Sequence, residues 1–205
     1  MPPLSVNLNT EQQLSENIRK NEVAAKQFFQ NEQWVNAISI KLAQEGADFE
    51  IPKNVENIKI AKSRITPSKN HSNISDNDAR TLAKEIRQAK ILTDSGASVF
   101  ILPKMKAADG REMTGPDAIV NGTLFEFKTI TGSIGKVEKP FRDSREQSRN
   151  VFLRIMRPNI SKADVISKIQ RILADPKYTG GTKGILVLHL EDTGRTYFLR
   201  IKDLK

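Results

Sequence analysis

The sequence predicts an α/β fold, a mixed sheet flanked by helices, preceded by a small helical N-terminal portion. Three observations predict it. From about residue 76 onward, apolar stripes at helical spacing alternate with short apolar runs of strand length. An Asn121-Gly122 pair separates two of those runs, and it is a strong hairpin signal because both positions accept positive φ. Near the end of the chain, Gly184 to Leu190 and Arg195 to Ile201 are divided only by Glu-Asp-Thr-Gly, which reads as a second hairpin.

Residues 1–9 read as a loose lead-in. A helix is expected from Thr10, where Thr10 and Gln13 give a capping-box pattern and Leu14, Ile18, Ala25, Phe28 and Phe29 keep a helical stripe. A second is expected over about 32–45, with Val35, Ile38 and Leu42 on one side and Gly46 as its stop. Trp34 fits between the two. Residues 47–75 lose any period and contain Pro52, Pro67 and a polar run, so they read as a connection. The chain is accordingly divided into a helical N-terminal region with its linker, 1–70, and a main domain, 71–205.

In the main domain, Ser75 or Asp76 caps a helix that runs to about Ser95, with Ala79, Leu82, Ala83, Ile86 and Ala89 on its apolar face and Gly96 as its end. Ala97 to Leu102 reads as a buried strand stopped by Pro103, and 104–115 as a loop. The Asn121-Gly122 hairpin follows. A helix is expected from Glu138 or Pro140 to Ser148, then a strand, NVFLRI, from Asn150. Ser161 and Asp164 mark the start of the next helix, whose buried stripe is Val165, Ile166, Ile169, Ile172 and Leu173. The terminal hairpin completes the sheet.

The chain has 205 residues and a formal charge of +9, unevenly spread. Residues 1–70 hold nine Lys and Arg against eight Asp and Glu, whereas 71–205 hold 24 against 16. The basic excess therefore lies in the main domain and points to a polyanionic partner, nucleic acid ahead of a membrane surface. No apolar run is long enough to span a bilayer and no signal-peptide core precedes the domain. Cysteine is absent, which excludes disulfides and thiolate metal sites. The two histidines, His71 and His189, lack ligand spacing, so a zinc site and a histidine-dependent ribonuclease mechanism lose their support.

Carboxylates are the better lead. Folding back at Asn121-Gly122 brings Asp117 towards Glu126, and strand alternation puts Glu126 and Lys128 on one face with Phe125 and Phe127 on the other. Mg²⁺ or Mn²⁺ takes hard oxygen ligands, and Asp117, Glu126 and the Phe127 carbonyl are the candidates. A metal there polarises a phosphate and acidifies a water, while Lys128 orients that water or stabilises the transition state. Glu and Lys two apart also decorate ordinary strand faces. The Pro-Asp upstream, the turn between and the basic surroundings are what favour chemistry here.

These residues carry a resemblance. Pro116-Asp117 followed by Glu126-Phe127-Lys128, after a helix and a strand, resembles the PD-(D/E)xK nuclease superfamily. That resemblance implies an acidic pair on metal, a lysine assisting water, and a glutamate from the first helix, for which Glu85 is the matching position. More narrowly, the stretch EIRQAKILTDSGASVFILP, then PDAIVNGTLFEFKTITGSIGK and REQSRNVFLRI, resembles the C-terminal tRNase domain of contact-dependent growth inhibition toxins over about 78–201. Gln147 and Asn150 occupy its glutamine and asparagine places, and Thr129 follows the lysine. The implied partners are tRNA and a cognate immunity protein. The implied location is delivery into the cytoplasm of a target cell, with a resident cytoplasmic enzyme as the alternative. Lys136, Lys139, Arg142, Arg145 and Arg149, just beyond the motif, are the candidates for phosphate contacts. The motif does not separate RNA from DNA, so a DNA endonuclease and an inert nucleic-acid-binding protein of the same fold stay open.

Overall fold

A computed structural model describes residues 22–24, 55–61, 64, 76–102, 104–106, 112–113 and 115–205. Its strands are β1 (Glu22–Ala24), β2 (Ile58–Ala61), β3 (Val99–Ile101), β4 (Met105–Lys106), β5 (Glu112–Met113), β6 (Ala118–Val120), β7 (Thr123–Ile130), β8 (Asn150–Ile155), β9 (Ile185–Leu190) and β10 (Arg195–Arg200). Its helices are α1 (Asp76–Asp94), α2 (Glu138–Gln147) and α3 (Lys162–Ala174). Eight strands form one mixed sheet in the order β1-β2-β3-β6-β7-β8-β9-β10, while β4 and β5 pair by themselves. β2 with β3, and β7 with β8 and β9, run parallel; the other neighbours are antiparallel.

Two cores sandwich the sheet. Leu82, Ala83, Ile86 and Ala89 of α1 pack on Val99, Ile101, Phe125, Phe127 and Phe152. On the other side, Phe141 of α2 and Val165, Ile169 and Ile172 of α3 pack on Ile130, Val151, Leu153 and Leu188. This is the expected α/β layering, with both faces of β8 buried because parallel strands are covered on both sides. Helix ends follow local chemistry. Gly96, at φ 88°, closes α1, its amide bonding to the Thr93 carbonyl at 2.9 Å. Ser161 and Asp164 make a full capping box on α3.

An ionic strut fixes α1 on the sheet. Arg154 on β8, 1% exposed, donates Nε to Glu191 at 2.7 Å, and Arg87 of α1 bonds the other oxygen of the same carboxylate. His189 is packed rather than exposed, with Nδ1 3.0 Å from the Thr196 hydroxyl.

The structure departs from the sequence reading in three places. Ile58 and Ile60, within the stretch read as a connection, are fully buried and pair with β3, so residues on the N-terminal side of position 70 supply part of the sheet. Glu22–Ala24, placed in the first expected helix, is a strand paired with β2; the rest of that helix, the second helix over 32–45, Trp34 and His71 lie outside the described residues. The expected loop at 104–115 contains the β4·β5 ladder, Met105 opposite Met113.

Two glycines separate backbone strain from steric exclusion. Gly122 has φ 81° and open space where a Cβ would go; Gly184 has φ 113° and a Cβ there would collide with the Arg149 carbonyl. Gly122→Ala should cost about 1 kcal/mol and Gly184→Ala about 3 kcal/mol or more in urea unfolding. Equal losses would refute the steric account of Gly184.

Candidate metal and phosphodiester site

β6 and β7 form a two-residue hairpin with Val120 opposite Thr123 and Ala118 opposite Phe125. Asn121 and Gly122 have φ of 48° and 81°, the doubly positive pair whose twist matches the strands it joins. Continuing that register by one residue sets Asp117 opposite Glu126 on the same face. Asp117 is fixed there at both ends: its amide donates to the Phe125 carbonyl at 3.0 Å, and its Oδ2 accepts the Phe127 amide at 2.8 Å. In a strand the N–H and C=O of one residue point the same way, so the Phe127 carbonyl also faces the Asp117 side.

Glu126 is only 2% exposed, although it lies on the face first read as outward. It accepts a hydrogen bond from Lys128 Nζ on the same face. The Gln147 amide at the end of α2, oriented with its nitrogen towards acceptors, donates to Glu126 Oε1 and to the Gly115 carbonyl, both at 3.2 Å. Glu85 of α1 is buried as well and takes Arg64 Nη2 at 2.9 Å, while Arg64 Nη1 bonds the Leu102 carbonyl at 3.0 Å.

Burial and the closeness of Asp117 to Glu126 govern the charges. Desolvation first, then the negative charge of Asp117, pushes the Glu126 carboxyl up to about 7. Desolvation also raises Asp117, against the pull of the Phe127 amide, Lys128 and Arg64. Glu85 rises to about 7, chiefly by desolvation, with Arg64 opposing and Asp117 adding to it. Three carboxyl groups thus face Arg64 and Lys128, with Lys104 also acting on Glu85. A divalent cation between Asp117 and Glu126 would offset the desolvation that raises both and the Asp117 charge that further raises Glu126, so the donor set fits Mg²⁺ or Mn²⁺, which needs only one or two carboxylates. Among the described residues, no three His, Asp or Glu side chains converge as a cage. Glu85 therefore stands beside the pair, engaged with Arg64, rather than completing a cluster with it.

The other candidates separate by environment. Lys136, Lys139 and Arg149 are exposed, Lys139 with an i,i+4 pair to Asp143 at 2.6 Å. Arg145 is 7% exposed and donates to the carbonyls of Arg149, Gly180 (3.0 Å) and Lys183 (2.6 Å); it clamps the 178–184 loop and is corrected from a phosphate contact to a structural one. Arg142 is committed to Asp175 and to Glu138 at 3.2 Å, and lies over the Tyr178 ring. Thr129 falls on the α1 face by alternation, and its hydroxyl is buried without a hydrogen-bond partner, so it does not reach a substrate at Glu126 and is likewise corrected. Asn150 is a staple, giving Nδ2 to the Leu124 carbonyl and accepting the Ile185 amide, both at 2.9 Å.

Arg64 is the residue that sequence reasoning missed. The Ile58, Ile60 alternation was its only signal, since that strand delivers the chain to Glu85.

Raised carboxyl pKa values carry a definite sign. The folded state holds these protons more tightly than the unfolded state. Their favourable contribution is therefore present below the ordinary value of 4.5 and is lost as pH climbs through about 7. In EDTA, Glu126→Gln should stabilise the protein by about 1–2 kcal/mol at pH 8 and by little at pH 5. A thermal melt series showing destabilisation at both pH values would contradict this electrostatic account.

No curated protein and no solved structure matches the chain. Residues 114–193, from ahead of the Asp117 hairpin to the turn after β9, match the contact-dependent growth inhibition CdiA C-terminal domain.

Proposed function

We propose that this protein is a metal-dependent nuclease, acting on tRNA as the delivered toxin of a contact-dependent growth inhibition system and held in check by a cognate immunity protein. The observation that carries the nuclease reading is the pairing of Asp117 with Glu126 on one face of the hairpin, with Lys128 bonded to Glu126. The family match supports the toxin setting, and the basic excess of the main domain supports a nucleic-acid substrate. Among the described residues no helix is long and apolar enough to cross a membrane. A membrane-spanning pore helix therefore finds no support there.

Asp117 and Glu126, with the Phe127 carbonyl beside them, would hold Mg²⁺ or Mn²⁺. The bound ion supplies Lewis acidity to the scissile phosphate and a water acidic enough to attack at neutral pH. Lys128 has its ammonium on the same face and half-buried, placed to orient that water and to balance charge building on the phosphate oxygens. Gln147 keeps the Glu126 carboxylate from rotating away. Arg64 neutralises Glu85 so that a buried third carboxylate does not oppose the phosphate. Lys136, Lys139 and Arg149 are the exposed cations left to follow the backbone of an RNA, whose recognition relies on shape, phosphates and splayed bases.

Purified protein incubated with total tRNA, rRNA and plasmid, in Mg²⁺ and in EDTA, tests the proposal. Cleavage of tRNA only in Mg²⁺ is expected, and Asp117→Ala, Glu126→Gln and Lys128→Ala should each reduce it ~10²-fold or more. Plasmid cleavage without tRNA cleavage would establish the DNA endonuclease instead. Mg²⁺ should also raise the melting temperature of the wild type at pH 8 and leave Asp117→Ala unchanged.

A further inference from the structure

Beyond the carboxyl ends of β7 and β8 lies a cleft of about 450 Å³, whose lining includes Ile134, Arg157, Pro158, Asn159, Ile160 and Asp164. None of these residues belongs to the Asp117–Glu126 site. Ile134 and Ile160 join the core beneath α3 and give the cleft an apolar floor; Arg157, Pro158, Asn159 and Asp164 stand exposed around it. An apolar floor with a few convergent polar groups suits a small ring, and the crevice beyond parallel strand ends is where open α/β sheets hold ligands.

The cleft shares a face with the proposed catalytic pair. Glu126, Lys128 and Ile130 alternate onto one side of β7, and Ile130 lies in the same core cluster as Ile134 and Ile160. Glu126 and Ile130 are about 13 Å apart along the strand, at roughly 3.3 Å per residue. Ile130 is itself buried with Val137 and Phe141, so a strand of nucleic acid held at Lys128 would pass outside that core to reach the cleft.

The polar groups select what can enter. Asp164 Oδ2 takes both Ser161 bonds, the amide at 2.8 Å and the hydroxyl at 2.7 Å, which leaves Oδ1 to accept. Those bonds also keep its carboxyl below the usual range, so it stays an acceptor at neutral pH. Arg157 spends Nε on the Thr131 carbonyl at 2.5 Å, which leaves its Nη groups to donate. A carboxylate on the rim repels phosphate but accepts from a base N–H, while a guanidinium donates to a base carbonyl. Guanine presents N–H donors and the O6/N7 acceptor pair that arginine reads best. Adenine lacks the carbonyl, cytosine presents no N–H donor beyond its single amino group, and uracil offers one N–H and carbonyls but no O6/N7 acceptor pair.

We propose that this cleft is a subsite for a guanine base of single-stranded RNA, close to the scissile bond; the proposal rests on the nuclease reading of the neighbouring site. It is tested on the full chain in EDTA, where binding is read without cleavage, using fluorescence anisotropy with the labelled RNAs UUGUU and UUUUU. UUGUU should bind roughly 10-fold more tightly. Asp164→Asn keeps an oxygen for the Ser161 amide but offers a donor where the base needs an acceptor, and should abolish that preference while leaving binding of UUUUU no weaker, since a carboxylate that repels phosphate is lost. Pro158→Glu, which leaves the cap untouched, should weaken UUGUU more than UUUUU and so narrow the preference. Equal binding of the two RNAs by the wild type, a preference that survives both variants, or tighter binding of the DNA analogue would each overturn the proposal. Cleavage of total RNA by the same preparation reports separately on the nuclease reading. Cutting without guanine preference sinks the subsite alone, and preference without cutting in any metal sinks the nuclease alone.

Discussion

The bond from the Phe127 amide to Asp117 Oδ2 constrains everything else in the site. Asp117 lies one residue before β6, beyond the ladder, and without that bond its side chain would be free to turn into solvent. With it, a carboxylate that burial would rather keep neutral is locked opposite Glu126. The lock depends in turn on register. A slip of one residue in the β6·β7 pairing would send Glu126 and Lys128 to the α1 core and the two phenylalanines outward, so apolar burial and the Asn121-Gly122 turn jointly enforce the geometry of the charges.

Holding like charges together is costly, and the surrounding structure shows how that cost is contained. Lys128 and Gln147 engage Glu126 from its own strand and from α2, while Arg64 engages Glu85 from the segment after β2. These supports come from widely separated parts of the chain. α1 can bring Glu85 to the site only if the helix is held in register on the sheet, which the Arg87–Glu191–Arg154 strut does two residues further along the helix. Arg154 and Glu191 are therefore connected to the site mechanically, although neither touches it. Such buried networks stabilise a particular arrangement more than they add overall stability.

What the sequence revealed was what local rules determine. The hairpin, the Phe125 and Phe127 burial, α1, α2, β8, α3 and the terminal hairpin all follow from period and turn chemistry within a few residues of each other. The juxtaposition of Asp117 with Glu126 follows from the same turn. Features that depend on distant partners were not legible. Ile58–Ala61 lies in a stretch punctuated by proline and polar residues, and only its pairing with β3 makes it a strand. Arg145 and Arg149 look alike in sequence, yet one is enclosed by the 178–184 loop and the other is exposed, a difference set by a segment some 30 residues further on. Thr129 is a different case, because strand alternation already placed it with the phenylalanines, and the resemblance outweighed that signal. The Asp109-Gly110 pair between β4 and β5 was likewise a turn signal within a segment read as loop.

The division between local and distant information matters for what such a domain can change. The carboxylate pair and Lys128 occupy a dozen consecutive residues whose geometry is set by one turn and one side-chain bond, so the chemistry is tightly constrained there. The groups available to meet a substrate are elsewhere: Lys136 ahead of α2 and Lys139 in its first turn, Arg149 before β8, Arg157 and Asn159 after β8, and Asp164 in the first turn of α3. They sit on exposed turns and helix starts, held by the sheet but contributing little to its core. Substitutions at those positions alter charge and hydrogen-bonding pattern without disturbing the hairpin register. In the proposed nuclease such a scaffold would separate the breaking of a phosphodiester, placed at β6 and β7, from the choice of which one, left to the exposed connections around α2 and β8.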